Sequence, residues 1–160
     1  MKALNNYIVE RLHINKDSKV IVYKYFPKTY DELKEILENL VEEDVNANLN
    51  NIDVSKIVDM GFLFENLDPH NIDISNWDVS NVENMNGMFF NCYKFNSDLS
   101  NWDVSNVKNM DYMFNDCRSF TGEGLENWKP IKCTNMFDVF SGCKSLKNRP
   151  SWYKNFYNKN

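Results

Sequence analysis

The phrase NWDVSNVENMNGMF, at residues 76–89, returns at residues 101–114 as NWDVSNVKNMDYMF, and this doubling constrains the fold more than any other feature of the chain. Met60, Met85, Met110 and Met136 fall 25, 25 and 26 residues apart, and Phe64, Phe89, Phe114 and Phe140 take the same steps. Trp77, Trp102, Trp128 and Trp152 follow at 25, 26 and 24 residues, with Ile52 standing where a first Trp would be. A unit this short cannot bury its own apolar side chains, so units must stack and share a core. We read four units over residues 49–151. The one extra residue of the third is absorbed at Thr121-Gly122-Glu123-Gly124, where glycines permit a turn. The fourth is the most eroded, with Lys129-Pro130-Ile131 in place of Asp-Val-Ser.

Two periods run within a unit. Ile74, Trp77 and Val79 have leucine-rich-repeat spacing, which predicts a short strand with Trp77 and Val79 inward and Asn76, Asp78 and Ser80 outward. Val82, Met85, Met88 and Phe89 recur at steps of three and four, which predicts a short helix with one inward face. Ser80 or Asn81 is its expected N-cap, and Ser80 with Glu83 forms a capping box. The predicted fold class is α/β: a short leucine-rich-repeat-like solenoid of about four strand-plus-helix units, with strands about 4.8 Å apart.

Both ends of such a stack need covering. Residues 1–48 are predicted to form an N-terminal cap of helix, strand and helix. Leu4, Ile8 and Leu12 mark the first helix, residues 20–25 the strand, and the capping box Thr29-x-x-Glu32 opens the second helix over 29–43. Residues 152–160, with Trp152, Tyr153, Phe156 and Tyr157, are predicted to cap the other end. With both edges covered, a monomer is expected.

Composition limits the function classes. A chain of 160 residues with 42% hydrophobic content is long and apolar enough for a real core. The 26 asparagines read as an AT-rich coding bias. No apolar run is long enough to span a membrane, and the first residues lack the apolar core of a secretory signal, so a cytoplasmic location is expected. Cys92, Cys117 and Cys143 recur at matching positions and read as packing slots, with Cys133 as a further buried thiol. Residues 49–120 hold four basic and eleven acidic side chains, whereas residues 121–160 hold seven and three. An acidic block is a poor nucleic-acid surface, because phosphate binding needs clustered Lys and Arg. The basic end, Lys144, Lys147, Arg149, Lys154 and Lys159, reads as a solvated face, or as a contact for nucleic acid or an acidic protein.

The outward positions supply the candidate site. Asp53, Asp78 and Asp103 form one column, Ser55, Ser80 and Ser105 a second, and Asn76, Asn101 and Asn127 a third, with Lys129 continuing the Asp column and placed to pair with Asp103. Neighbouring carboxylates about 5 Å apart repel by roughly 1 kcal/mol at a surface. A basic partner would offset that, and so would hydrogen bonds within each turn that order the repeat. Hard oxygens suit calcium, but no Asp-x-Asp-x-Asp-Gly loop occurs, so no metal is assigned. The methionines read as core filling. Only His13 and His70 are present, far apart, and no nucleophile with its base and no phosphate-cradling glycine loop is written. The chain is therefore expected to be neither an enzyme nor a cofactor binder.

The phrases DISNWDVSNVENMNGMF and FNSDLSNWDVSNVKNMDYMF, with the eroded NWKPIKCTNMFDVF, resemble the 25-residue surface-protein repeats of the BspA-like leucine-rich-repeat family and of mycoplasma lipoproteins. The resemblance implies a right-handed solenoid used for protein binding or adhesion, with no enzymatic residues.

The expected function is a non-enzymatic protein-binding module using Asp53, Ser55, Asn76, Asp78, Ser80, Asn101, Asp103, Ser105 and Lys129. One alternative is an inhibitor from a phage or mobile element whose acidic block imitates nucleic acid against a host defence nuclease. Another is a fragment of a surface adhesin.

Overall fold

The repeated segments stack on one another, yet each is built from turns. The structure, a computed structural model, describes residues 11–14 and 20–159, with side chains from 20 to 156. Among the described residues the only sheet is the antiparallel pair β1 (Arg11–Ile14) and β2 (Val20–Tyr23), with Arg11 opposite Tyr23 and Ile14 opposite Val20. The repeats contain neither strand nor α-helix; their one regular piece is a single 3₁₀ turn at Leu125–Asn127. The expected α/β solenoid of four strand-plus-helix units, with its right-handed leucine-rich-repeat form, is therefore not what the chain adopts.

Backbone handedness explains the correction. Phe62, Gly87, Tyr112 and Asp138 hold φ between 50° and 58°, and Asn66, Asn91, Asp116 and Gly142 between 59° and 75°. A right-handed helix cannot continue through a left-handed residue, and each unit has at least two of them. The amide protons go elsewhere. Met85, Gly87, Phe89 and Asn91 donate to the carbonyls of Asn109, Asp111, Met113 and Asn115 in the next unit at 2.8–2.9 Å. The intervening Met88, Phe90 and Cys92 donate three residues back, to Met85, Gly87 and Phe89. The same pattern joins Met60, Phe62 and Phe64 to Asn84, Asn86 and Met88, and joins Met110, Tyr112, Phe114 and Asp116 to Asn135, Phe137, Val139 and Ser141. These donors all point toward the following unit, while the amides just before them, at Glu83 and Asn84, Lys108 and Asn109, and Thr134 and Asn135, donate back to the carbonyls of Val58, Glu83 and Lys108, so two-way β-ladder pairing survives only at the isolated bridges.

The expected strand over Ile74, Trp77 and Val79 is replaced in the same way. Trp77 N donates to Ile74 O and Val82 N to Val79 O, closing two successive turns. Strand-like pairing shrinks to single parallel bridges, Asn48 with Asp73 and the series Asp59, Asn84, Asn109 and Asn135. With no helix to cap, Ser80 turns its hydroxyl to Asp78 Oδ1 and makes no capping box with Glu83.

The inward set is nevertheless the one that the spacing marks: Trp77, Val79, Val82, Met85, Met88 and Phe89 are all buried. Phe64, Phe89, Phe114 and Phe140 stack nearly parallel at 5.1, 5.6 and 5.7 Å. Trp77, Trp102, Trp128 and Trp152 stack at 6.4, 6.2 and 6.1 Å. Each indole also spends its polar tip on the unit before it: Nε1 of Trp77, Trp102, Trp128 and Trp152 donates to the carbonyls of Leu49, Ile74, Leu99 and Leu125 at 2.7–3.1 Å. Aromatic burial and a satisfied donor are thereby combined at one position. The thiols of Cys92, Cys117 and Cys143 likewise donate to Phe64, Phe89 and Phe114 carbonyls at 3.4, 3.0 and 2.9 Å. Cys133, expected to be buried, is half-buried and donates to Asn135 O.

The N-terminal end is closed by α1 (Tyr30–Glu43), which buries Leu33, Ile36, Leu37 and Val41. Thr29 Oγ1 accepts from Glu32 N at 3.2 Å, while the Glu32 carboxylate reaches past Thr29 to Lys28 N, so the capping box is only half made. Lys34 does further work: its Nζ donates to Leu63 O at 2.9 Å and Glu65 O at 3.1 Å. These carbonyls stand where Met88 O and Phe90 O stand in the next unit, so the ammonium takes the place of amides that a preceding unit would offer. Tyr25 bridges to Ile52 beside them. Of the expected first helix, Leu4 and Ile8 lie outside the described residues, and Leu12 falls in β1.

At the other end, α2 (Ser151–Lys159) begins where a fifth Trp position would start. Trp152 continues the indole column, Tyr153 meets Phe140 edge-on at 5.1 Å, and Phe156 packs against the core. The side chain of Tyr157 lies outside the described residues. No helix among the described residues is long and apolar enough to cross a membrane.

Candidate functional site

The outward columns lie at turn corners, since no strand face exists to display them. Asp53 Oδ1 accepts from Ser55 N at 3.1 Å and Ser55 Oγ at 2.7 Å, and Asp78 Oδ1 from Ser80 N at 3.1 Å and Ser80 Oγ at 2.6 Å. Asp103 Oδ1 accepts from Ser105 N at 3.0 Å. Asp73 with Ser75 and Asp98 with Ser100 repeat the device one corner earlier, so the second and third units each have two Asp-x-Ser turns; the first has one, with Asn48 accepting from Asn50 N at its earlier corner, and the fourth has none. Asp or Asn suits these positions by local chemistry, because its short side chain bonds to the amide two residues on, as Asn48 Oδ1 also does with Asn50 N. Asn76 N donates to Asn50 Oδ1, and the amides of Asn81 and Asn106 cross to Ser55 O and Ser80 O, tying each corner to the one before. Asp78, Asn101, Asp103 and Lys129 are exposed, whereas Asp53, Ser55, Asn76, Ser80 and Ser105 are half-buried.

A second surface was not legible as a column. Phe62, Phe90, Tyr112 and Phe137 form an edge-to-face ladder with ring centroids 6.1, 6.3 and 5.4 Å apart, crossing all four units. Phe62 is 37% exposed and Phe137 is 56% exposed, with Phe90 and Tyr112 between those extremes and full burial. Counted from the buried methionine of its own unit, Phe62 and Tyr112 are two residues on, Phe90 five and Phe137 one. An alignment of repeat positions therefore hides the ladder. Its trace in the sequence is a large apolar residue standing where sister units have Gly, Asn, Asp, Glu or Ser.

The remaining chemistry is structural. Burial pushes the thiols of Cys133 and Cys143 up to about 11 and about 12, and those of Cys92 and Cys117 further still. Thiols in that condition are inert as nucleophiles near neutral pH. Lys34 lies in a cleft of about 620 Å³ with Tyr30, Glu38, Phe62 and Glu65. Burial lowers its pKa below 10.5, but its protons are committed to the two carbonyls it caps. Among the described residues no group of three His, Cys, Asp or Glu side chains is placed to hold a metal ion.

Residues 31–153 match the model of a family described as Mycoplasma protein of unknown function, DUF285. No curated protein and no solved structure matches the chain.

Proposed function

Because the chain belongs to the Mycoplasma family of unknown function DUF285, whose description assigns no activity, we propose its role from geometry: a non-enzymatic module that binds a protein partner along the aromatic ladder. The observation that carries this reading is the convergence of Phe62, Phe90, Tyr112 and Phe137 on one exposed line from three different repeat positions. Stacking of the units does not ask for it, since the Met, Phe and Trp columns already close the core. Exposed aromatic residues in a contiguous stripe are what the buried centre of a protein interface is made from. The acidic corners, with Asp78 and Asp103 exposed, fit the charged rim of such a contact and favour a partner with basic residues. The doubled phrase NWDVSNVxNMxxMF adds a likeness to BspA-like surface-protein repeats, and that likeness also supports protein binding.

The test compares the wild-type chain with Tyr112→Ser plus Phe137→Ser and, separately, Asp78→Asn plus Asp103→Asn. Both variants keep the columns of the core. We expect the ladder variant to lose its partner in pull-downs from the source cells, and the Asn variant to bind more weakly than wild type at low salt, with the difference shrinking as salt rises. Retention of every partner by the ladder variant would overturn the reading.

A further inference from the structure

Alternate amides after each buried methionine pass their protons to the next unit, and the fourth has no next unit. Tyr112, Phe114 and Asp116 donate to carbonyls of the fourth unit at 2.8, 3.0 and 2.7 Å. The amides in the corresponding places, those of Asp138, Phe140 and Gly142, have no acceptor among the described residues. Asp138 and Gly142 are exposed, while Phe140 is only 3% exposed, a setting in which an unmet donor is costly. The stack thus ends in three donors that no described residue meets, two on exposed residues and one on a residue at the edge of the core.

What could cover that row is narrowed by the opposite end. A second copy stacked head to tail would need the carbonyls of Leu63 and Glu65, and Lys34 already occupies them. Two donor rows cannot pair with each other. An ordinary β-strand would bring an N–H to the row for every C=O. The complement is an acceptor-only surface, and carboxylates supply one.

The charge around the row agrees. Lys144 follows Gly142 by two residues, Lys147 and Arg149 come next, and Lys154 adjoins Tyr153, whose ring packs on Phe140. All four are exposed, and the Arg149 guanidinium lies 5.5 Å from the Tyr153 ring centroid. Residues 121–160 as a whole carry seven basic side chains and three acidic ones.

We propose that this end of the stack docks an acidic, extended segment of a partner protein, whose carboxylates accept from the amides of Asp138, Phe140 and Gly142 and pair with Lys144, Lys147 and Lys154. A short acidic segment fits better than a nucleic acid, because a long polyanion would run on to the block at residues 49–120, with four basic and eleven acidic side chains. This surface adjoins the aromatic ladder at Phe137 but rests on different groups, the amides and lysines of the chain's basic end, so either reading can fail without the other.

The experiment titrates the isotopically labelled full chain with a short poly-glutamate peptide, using poly-glutamine of equal length and single-stranded oligothymidylate as comparators. Poly-glutamate is expected to shift the three amide resonances and slow their hydrogen exchange, with poly-glutamine inactive. Lys144→Glu with Lys154→Glu should weaken binding by about tenfold or more. Asp138→Asn, which removes a carboxylate from the row, leaves the Asp116 carboxylate beside Gly142 in place and suits a left-handed backbone, should tighten it. Three unmoved amides, or equal affinity of the charge-reversed chain, would overturn the proposal. So would tighter binding of oligothymidylate, which would make the end a nucleic-acid surface.

Discussion

The ring of Phe62 lies across the bare α-carbon of Gly87: a methyl group there would sit 2.3 Å from Phe62 Cε1 and 2.6 Å from Cδ1. Gly87 also holds φ 58°, but Tyr112 carries a full side chain at φ 57° in the next unit, so the backbone alone does not demand glycine. The ring does. We expect Gly87→Ala to cost about 2–3 kcal/mol, from overpacking plus the left-handed backbone. Adding Phe62→Ala should recover at least about 1 kcal/mol of coupling in a double-mutant cycle. Strict additivity in denaturant unfolding would show that the ring is not the obstacle.

Lys34→Met keeps the aliphatic stem and removes the donors for Leu63 O and Glu65 O. Two half-buried carbonyls left unmet should cost about 1–3 kcal/mol. Hydrogen exchange should quicken first in the unit that begins at Leu49, and uniform quickening across the stack would contradict the end-cap role.

The thiols give stability a dependence on alkaline pH. All four hold folded pKa values above the ordinary 9.0 because they are buried, with Cys133 at about 11 and Cys143 at about 12. Raised folded values mean that the stabilising contribution is complete below about pH 9 and is lost as pH rises, since the unfolded chain releases its protons first. We expect the unfolding free energy to fall above about pH 9 by up to about 1.4 kcal/mol per pH unit per thiol. Lys34, lowered by burial, opposes this, whereas Tyr23 and Tyr30, raised by burial, add to it. Equilibrium unfolding under reducing conditions, with Cys143→Ala as the control that removes one share, measures the slope.

Trp102 separates stacking from hydrogen bonding. Trp102→Ala removes contacts with Trp77 and Trp128 and the bond from Nε1 to Ile74 O at 3.1 Å, and should cost about 3–5 kcal/mol. Trp102→Phe keeps a ring and orphans only the carbonyl, so about 1–2 kcal/mol is expected. Thermal or denaturant unfolding of the pair gives the ratio.

Asp78 distinguishes charge from turn geometry. Asp78→Asn keeps an acceptor for Ser80 N and Ser80 Oγ, whereas Asp78→Ala removes it. We expect Asn to stay within about 0.5 kcal/mol of wild type and Ala to lose about 1 kcal/mol. An Asn variant as unstable as Ala would mean that the charge, and not the turn, is what the position supplies.

How far the sequence could be read follows from what each signal reports. The apolar spacing at Val82, Met85, Met88 and Phe89 marks which side chains face inward, and all four do. It does not report backbone handedness. Gly87, Asn91 and Gly142 hint at left-handed positions, but Phe62 and Tyr112 adopt the same φ with side chains that usually avoid it, so the hint is erased where it was most needed. A chain of turns with inward residues at steps of three and four therefore looks like a helix. The Asp-x-Ser corners were visible as columns, with hydrogen bonding inside the turn one of two open explanations, and those bonds are present at Asp53, Asp78 and Asp103. The aromatic ladder stayed hidden because its members share a place in space and not a place in the repeat.

The backbone seam has a consequence for how a protein of this kind can change. Because the segment at Met85 presents to the segment at Met110 the same donors that the segment at Met60 presents to it, a duplication of one repeat length within this region inserts a brick whose two faces already match their neighbours. Cap chemistry at Lys34 and Trp152 is untouched by such an event. As far as the backbone seam goes, length is then open to recombination in whole units, while contacts peculiar to one joint, such as the Phe62 ring over Gly87, decide which unit can be copied without repair, and each added unit lengthens whatever surface its exposed residues compose.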